Sequence, residues 1–124
     1  MFRILVAEDD EATRLRLEHV LYGAGYEPIL AADGAEAMEL LDRKYVDLIL
    51  LDLLMPRLDG YGLLEQLRQS GADLPVLVHT NRQGLSDKRR CFTLGADDYL
   101  TKPADDEEIL LRVSALLRRA NISA

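Results

Sequence analysis

Two kinds of hydrophobic pattern take turns along this chain. Short apolar runs from Phe2 to Ala7, Tyr26 to Ala31, Asp47 to Asp52, Leu74 to Thr80 and Asp97 to Leu100 alternate with longer stretches whose apolar residues return every three or four positions. Most of the short runs have no polar face, which predicts strands buried on both sides, as in a parallel sheet. The three-and-four spacing predicts helices with one apolar stripe. Leu17, Val20, Leu21 and Ala24 form one stripe, Ala37, Leu40 and Leu41 a second, Gly60, Leu63, Leu64 and Leu67 a third, and Ile109, Val113, Leu116 and Leu117 the last. Leu85 to Leu94 shows the period less cleanly and is read as a further helix. Asp33 with Glu36 and Asp105 with Glu108 have the reciprocal spacing of an N-terminal cap. Gly23 to Gly25, Gly71 and Gly95 stand where helices should stop.

Five strand-helix units in 124 residues predict a single three-layer α/β domain over residues 1–124, a doubly wound parallel sheet with helices on both faces. No linker, repeat or low-complexity segment interrupts it. In such sheets ligands bind outside the carboxyl ends of the strands, where the strand order reverses.

Composition narrows the function classes. Fifteen Lys and Arg against 22 Asp and Glu leave a formal charge of −7, which argues against unaided binding to nucleic acid or to an anionic membrane. The one basic cluster, Lys88-Arg89-Arg90, is short. Cys91 is the only cysteine, so no intramolecular disulfide or cysteine-based zinc site is available and a reducing compartment is expected. Charged residues interrupt every apolar run well before the roughly 18 residues of a membrane helix, so the expected location is the cytoplasm.

The predicted strand ends carry the chemistry. The first run leads into Glu8-Asp9-Asp10-Glu11, the third ends in Asp52, the fourth in Thr80, and the fifth is followed by Thr101-Lys102-Pro103. Carboxylates from adjacent strands repel unless a cation lies between them, and Glu8, Asp9 and Asp52 form the oxygen-rich set a hard ion such as Mg²⁺ (or Mn²⁺) prefers. Lys102 supplies a fixed positive charge and Thr80 a hydroxyl donor. A cation, a lysine and a hydroxyl around one carboxylate suit phosphoryl transfer, which depends on positioning and charge neutralisation. Asp52 is then the candidate nucleophile. Taken singly, each residue has an ordinary reading: acids at a helix N-terminus, a strand-terminating Asp, a loop Lys, a strand-forming Thr. His19 and His79 lack partners at metal or triad spacing and read as surface and packing residues.

Four segments together resemble the receiver domain of bacterial two-component response regulators. They are Ile4 to Glu11, Asp47 to Gly60, Pro75 to Thr80, and Gly95 to Pro103. The resemblance spans essentially the whole chain and implies a flavodoxin-like (βα)5 fold with strand order 2-1-3-4-5. It implies that Asp52 accepts a phosphoryl group from a sensor histidine kinase or phosphotransfer protein, and that Glu8, Asp9, Asp52 and the Leu54 backbone carbonyl hold Mg²⁺. By the same resemblance Lys102 contacts the phosphoryl group, Thr80 moves to hydrogen-bond it, Tyr99 turns inward as the switch aromatic, and the Lys102-Pro103 bond is cis. It implies a signalling domain rather than an enzyme, with only self-directed phosphotransfer and slow autodephosphorylation.

The sequence departs from the family at several points. Asn81 follows Thr80 where a small residue is usual, Arg82 follows it, and Leu54 is apolar where many relatives are polar. Leu54 cannot orient a hydrolytic water, so a long-lived phosphorylated form is expected. Lys88, Asp97, Asp98, Glu108, Arg112 and Arg119 resemble the charges through which receivers of the winged-helix DNA-binding subfamily dimerise when phosphorylated, using the fourth helix, fifth strand and fifth helix. Solvated helix charges are the other reading of this set. An output domain, if any, would follow residue 120, and DNA binding would belong to it. A Mg²⁺-dependent phosphohydrolase of the haloacid-dehalogenase-like family would need a second Asp at position 54, where the chain has Leu. A pseudo-receiver would lack part of the site, and a nucleotide-binding role would need a glycine-rich phosphate loop that the chain lacks.

Overall fold

The computed structural model describes residues 1–121. Residues 122–124 of the expected 1–124 span lie outside them. Five strands alternate with five helices: β1 (Arg3–Ala7), α1 (Glu11–Gly23), β2 (Glu27–Ala31), α2 (Gly34–Arg43), β3 (Leu48–Leu51), α3 (Gly60–Gln69), β4 (Val76–Thr80), α4 (Leu85–Leu94), β5 (Asp98–Thr101) and α5 (Asp106–Asn121). The sheet is parallel throughout, in the order β2-β1-β3-β4-β5. The order reverses between β1 and β3, so their carboxyl ends face the crevice expected to hold a ligand.

The strands are trimmed relative to the apolar runs, for identifiable reasons. Pro75 has no N–H to give a ladder, and β4 begins after it, although its carbonyl accepts from the Ile49 amide at 3.0 Å. Asp52 lies one residue beyond β3, with its amide still bonded to the Ala7 carbonyl at 3.0 Å. Ala24, expected on the first helical stripe, is the residue that caps the C-terminus of α1, which packs through Leu17 and Leu21. Leu85 to Leu94 is helical throughout.

Strand alternation divides the core in two. Leu5, Ile49, Leu51, Val76 and Val78 face α2, α3 and α4 through Ala37, Leu63, Leu64, Leu67 and Cys91. Ile4, Val6, Leu48, Leu50, Leu77 and Leu100 face α1 and α5 through Leu17, Leu21, Ile109, Val113, Leu116 and Leu117. Burying each such side chain stabilises the fold by about 1.5–3 kcal/mol. The cap at α2 forms as its spacing predicts: the Asp33 carboxylate accepts the Glu36 amide at 2.8 Å, while Glu36 reaches back to the Ala32 amide at 2.7 Å. Asp10 and Asp59 cap α1 and α3 in the same way, through the amides of Thr13 and Gly62. Among the described residues no helix is long and apolar enough to cross a membrane.

His79 alternates with Thr80 on β4 and faces the opposite side, as expected from strand geometry. It is buried, and its Nδ1 has no hydrogen-bond partner. Burial and then the nearby Lys102 charge push its imidazole down to about 4. The unfolded chain takes up a proton at its ordinary value of about 6.5, whereas the folded chain resists until about 4, so stability falls as pH drops through that window. At pH 5 the His79 contribution should cost about 2 kcal/mol relative to pH 8. Urea unfolding at the two pH values should show this difference in the wild type and lose it in His79→Leu.

Candidate functional site

The chain positions charged groups just beyond the strand ends at the crevice. Glu8 and Asp9 follow β1, Asp52 follows β3, Thr80 ends β4 and Lys102 follows β5. Because β1 pairs with β3, β3 with β4 and β4 with β5, residues 94 positions apart in sequence meet. The Lys102 Nζ donates to Glu8 Oε1 at 2.6 Å and to Asp52 Oδ2 at 3.0 Å. Glu8 is 2% exposed and Asp52 7%, so neither carboxylate can rely on water for charge compensation.

The remaining lone pairs are placed by the backbone. Glu8 Oε2 accepts the Asp10 amide at 3.0 Å, and Asp52 Oδ1 accepts the Leu54 amide at 3.3 Å. Burial pushes the Glu8 carboxyl above its usual range, opposed by the Lys102 and Asp10 hydrogen bonds and reinforced by the Asp52 charge. Burial works to lower the Lys102 ammonium, but its hydrogen bond to Glu8 and the Asp52 charge outweigh that and the net shift is upward. The lysine therefore stays protonated.

Asp9 is exposed beside this pair. Glu8, Asp9 and Asp52 each offer an oxygen, and these atoms lie within 4.8 Å of one another. Opposite ligands of an octahedral Mg²⁺ are about 4.2 Å apart, so the donor set and its spacing fit that ion after a small closure. The Lys102-Pro103 peptide bond is cis, as expected.

Thr80 is fully buried, its Oγ1 accepting the Arg82 amide at 3.4 Å and its carbonyl accepting the Lys102 amide at 2.7 Å. Tyr99 is half-buried, donating from its hydroxyl to the Arg82 carbonyl at 2.7 Å. The Arg82 side chain turns toward α4, 3.9 Å from Asp87, while Asn81 and the Leu54 side chain are exposed.

The charges named on the fourth helix, fifth strand and fifth helix have different surroundings. Lys88 lies over the Tyr99 ring, 5.8 Å from its centroid, and Glu108, Arg112 and Arg119 are exposed on α5. Asp98 and Arg112 pair within the chain at 3.1 Å. Asp97 accepts the Val76 amide at 2.8 Å and an Arg68 guanidinium nitrogen at 3.1 Å. That guanidinium also donates to the carbonyls of Ala72, Leu74 and Gly95.

Two contacts have no signal in local sequence pattern, although Gly60 itself belongs to the third predicted helical stripe. Arg14, on α1, donates to the carbonyls of Glu8 at 2.9 Å and Asp9 at 3.3 Å, fixing the backbone of the acidic pair. Gly60 lies against Asp52 itself: a Cβ there would be 2.4 Å from the Asp52 carbonyl oxygen and 2.6 Å from the Leu53 Cα. Its amide donates to the Leu53 carbonyl at 2.9 Å.

A parallel sheet in this order brings acidic groups and a lysine together at the reversal point. Residues 4–114 match the response regulator receiver domain family, and the chain belongs to it. The response regulator MprA of Mycobacterium sp. (strain KMS) is 48% identical over 119 residues, which are 96% of this chain and 52% of that protein. The chain thus spans about half the length of the curated relatives it matches. The receiver domain of the Francisella response regulator 1452 superposes with a TM-score of 0.94 at 33% identity, covering 98% of this chain and all of that one. The BeF3-activated DrrB receiver domain superposes with a TM-score of 0.87 at 25% identity, covering 95% and 98% of the two chains. Receiver domains bind Mg²⁺ at an acidic pocket, and Glu8, Asp9 and Asp52 form an acidic cluster at the strand ends of this chain.

Gly60→Ala should destabilise the fold by roughly 1–3 kcal/mol, since the added methyl meets backbone rather than a flexible side chain. Urea unfolding checks this, and amide NMR shifts should locate the disturbance at Asp52 and Leu53.

Proposed function

We propose that Asp52 is the phosphoacceptor of this receiver, taking a phosphoryl group from the phosphohistidine of a sensor kinase or phosphotransfer protein. The observation that carries the reading is the Lys102 ammonium bonded at once to buried Glu8 and Asp52, beside exposed Asp9. Asp52 attacks phosphorus through a carboxylate oxygen, a P–O bond forms, the donor's P–N bond breaks, and the imidazole leaves with the electron pair. Lys102 neutralises the phosphoryl oxygens and keeps Asp52 oriented. Mg²⁺ or Mn²⁺, held by Glu8, Asp9, Asp52 and the Leu54 carbonyl, supplies further charge neutralisation when bound.

Thr80 and Tyr99 convert that local charge into a new surface. The Thr80 hydroxyl has one amide contact to give up in order to reach the phosphoryl group, and Tyr99 is tied to the loop that would move with it. The altered surface is that of α4, β5 and α5, where Lys88, Asp98, Glu108 and Arg112 pair two copies and Asp97 and Arg119 contribute less directly. In the single chain Asp98 and Arg112 bond each other, so dimerisation exchanges an existing pair for one across the interface. The domain acts in signal transduction, with self-directed phosphotransfer and slow autodephosphorylation as its only chemistry, and an output domain, if any, would follow residue 120.

Intact-mass measurement with Mg²⁺ and a small acyl phosphate should give one phosphoryl adduct that is absent without the metal and absent in Asp52→Asn. The related DrrB structure is activated with BeF3, so beryllofluoride offers a second test of the acceptor. No adduct and no beryllofluoride complex would leave a pure interaction module. The adduct should decay faster in Leu54→Asn, where an amide can orient water, and the decay rate of Asn81→Ala should show whether bulk beside Thr80 also shields it. Lifetimes no longer than those of the variants would refute the slow-decay reading.

A further inference from the structure

The loop between β3 and α3 carries Asp52 at one end and the Leu54 carbonyl in its course, and its backbone is not in a relaxed conformation. Arg57 has φ 70°, in the left-handed region that favours glycine and disfavours a long side chain. The Leu58 amide donates to the Pro56 carbonyl at 2.8 Å, closing a three-residue turn around it. A non-glycine residue persists there only if its surroundings hold it.

The N-terminus of α2 is what holds it. The Arg57 guanidinium bonds Asp33 Oδ2, while Asp33 Oδ1 is occupied by the Glu36 amide as the helix cap. One residue on, Gly34 meets the next residue of the loop: a Cβ at Gly34 would be 1.8 Å from the Leu58 carbonyl oxygen. The Asp33 carboxylate is nearly buried although Arg57 is largely exposed, so the guanidinium comes to the aspartate. The two bonds hold the Asp33 carboxyl below its usual range, which keeps it ionised and paired at neutral pH.

We infer that Asp33 is a positioning residue for the cation site, acting through Arg57 to hold the loop that presents Asp52 and the Leu54 carbonyl. This rests on the phosphoacceptor reading above, in which those two groups are ligands. Neither Asp33 nor Arg57 touches the ion. Their role is to fix the loop tip against α2, so that the loop which begins at Asp52 is set before a cation arrives.

The test is a Mg²⁺ titration of the whole chain followed by the amide NMR shifts of Glu8, Asp9 and Leu54, with thermal unfolding measured separately without Mg²⁺. Asp33→Asn keeps the cap acceptor and removes the ion pair, and Arg57→Gln removes it from the other side. Each should weaken Mg²⁺ binding by about tenfold, the lower end of the effect of losing an outer-shell partner. The double variant should be no weaker than either single one, because both lose the same bond. Long-range charge alone gives opposite signs, weaker for Asp33→Asn and tighter for Arg57→Gln, so tighter or unchanged binding in Arg57→Gln overturns the inference. A lowered melting temperature in both with unchanged Mg²⁺ affinity also overturns it, leaving the pair a purely structural tie. If wild type and Asp9→Asn respond to Mg²⁺ identically, the cation-site reading itself falls, and this inference with it.

Discussion

Glu8 and Asp52 are carried out of water at the ends of neighbouring strands, and a single ammonium bonds both. Much of the rest of the domain serves that arrangement. The sheet order brings β5 close enough for Lys102 to reach β1 and β3, and the helix faces seal the apolar layers that make the strand ends dry. Without the lysine the two carboxylates would face each other in a medium that screens them poorly, and one would take up a proton. With it, the buried pair keeps one net negative charge, and exposed Asp9 adds another beside it. The lysine acts as an internal counter-ion to the buried pair.

Close backbone approach keeps this charge cluster in register. Gly60 rests on the carbonyl of Asp52, Gly34 on that of Leu58, and Arg14 gathers the carbonyls of Glu8 and Asp9. At the two glycines an element end meets a loop, and a side chain in place of hydrogen would push the loop away.

The fold was legible because buried parallel strands leave continuous apolar runs and amphipathic helices leave a period, both local signals. The acidic pair, Asp52, Thr80 and Lys102 were legible because each follows or ends such a run, and topology then requires strand ends to converge. Boundaries were less so: Pro75 cannot join a ladder, and Asp52 steps out of β3 to present its carboxylate. Arg14, Gly60 and the Asp33–Arg57 pair were not legible, since their meaning lies in contacts between segments that no periodicity links. The same holds for Asp97, which looks like its neighbour Asp98 in sequence but is tied to Val76 and Arg68 across the chain.

That Arg68 guanidinium has a mechanical consequence. It grips the Gly95 carbonyl that ends α4 together with the carbonyls of Ala72 and Leu74 ahead of β4, so the C-terminal end of α4 is riveted to the body of the domain. The opposite end begins at Gly84 with no side-chain cap and is held by the Asp87 bond to Tyr61 and the Arg82 pair. The two ends of α4 are thus held unequally, by a guanidinium on three backbone carbonyls at the Gly95 end and by the Asp87 side chain at the end that follows Thr80.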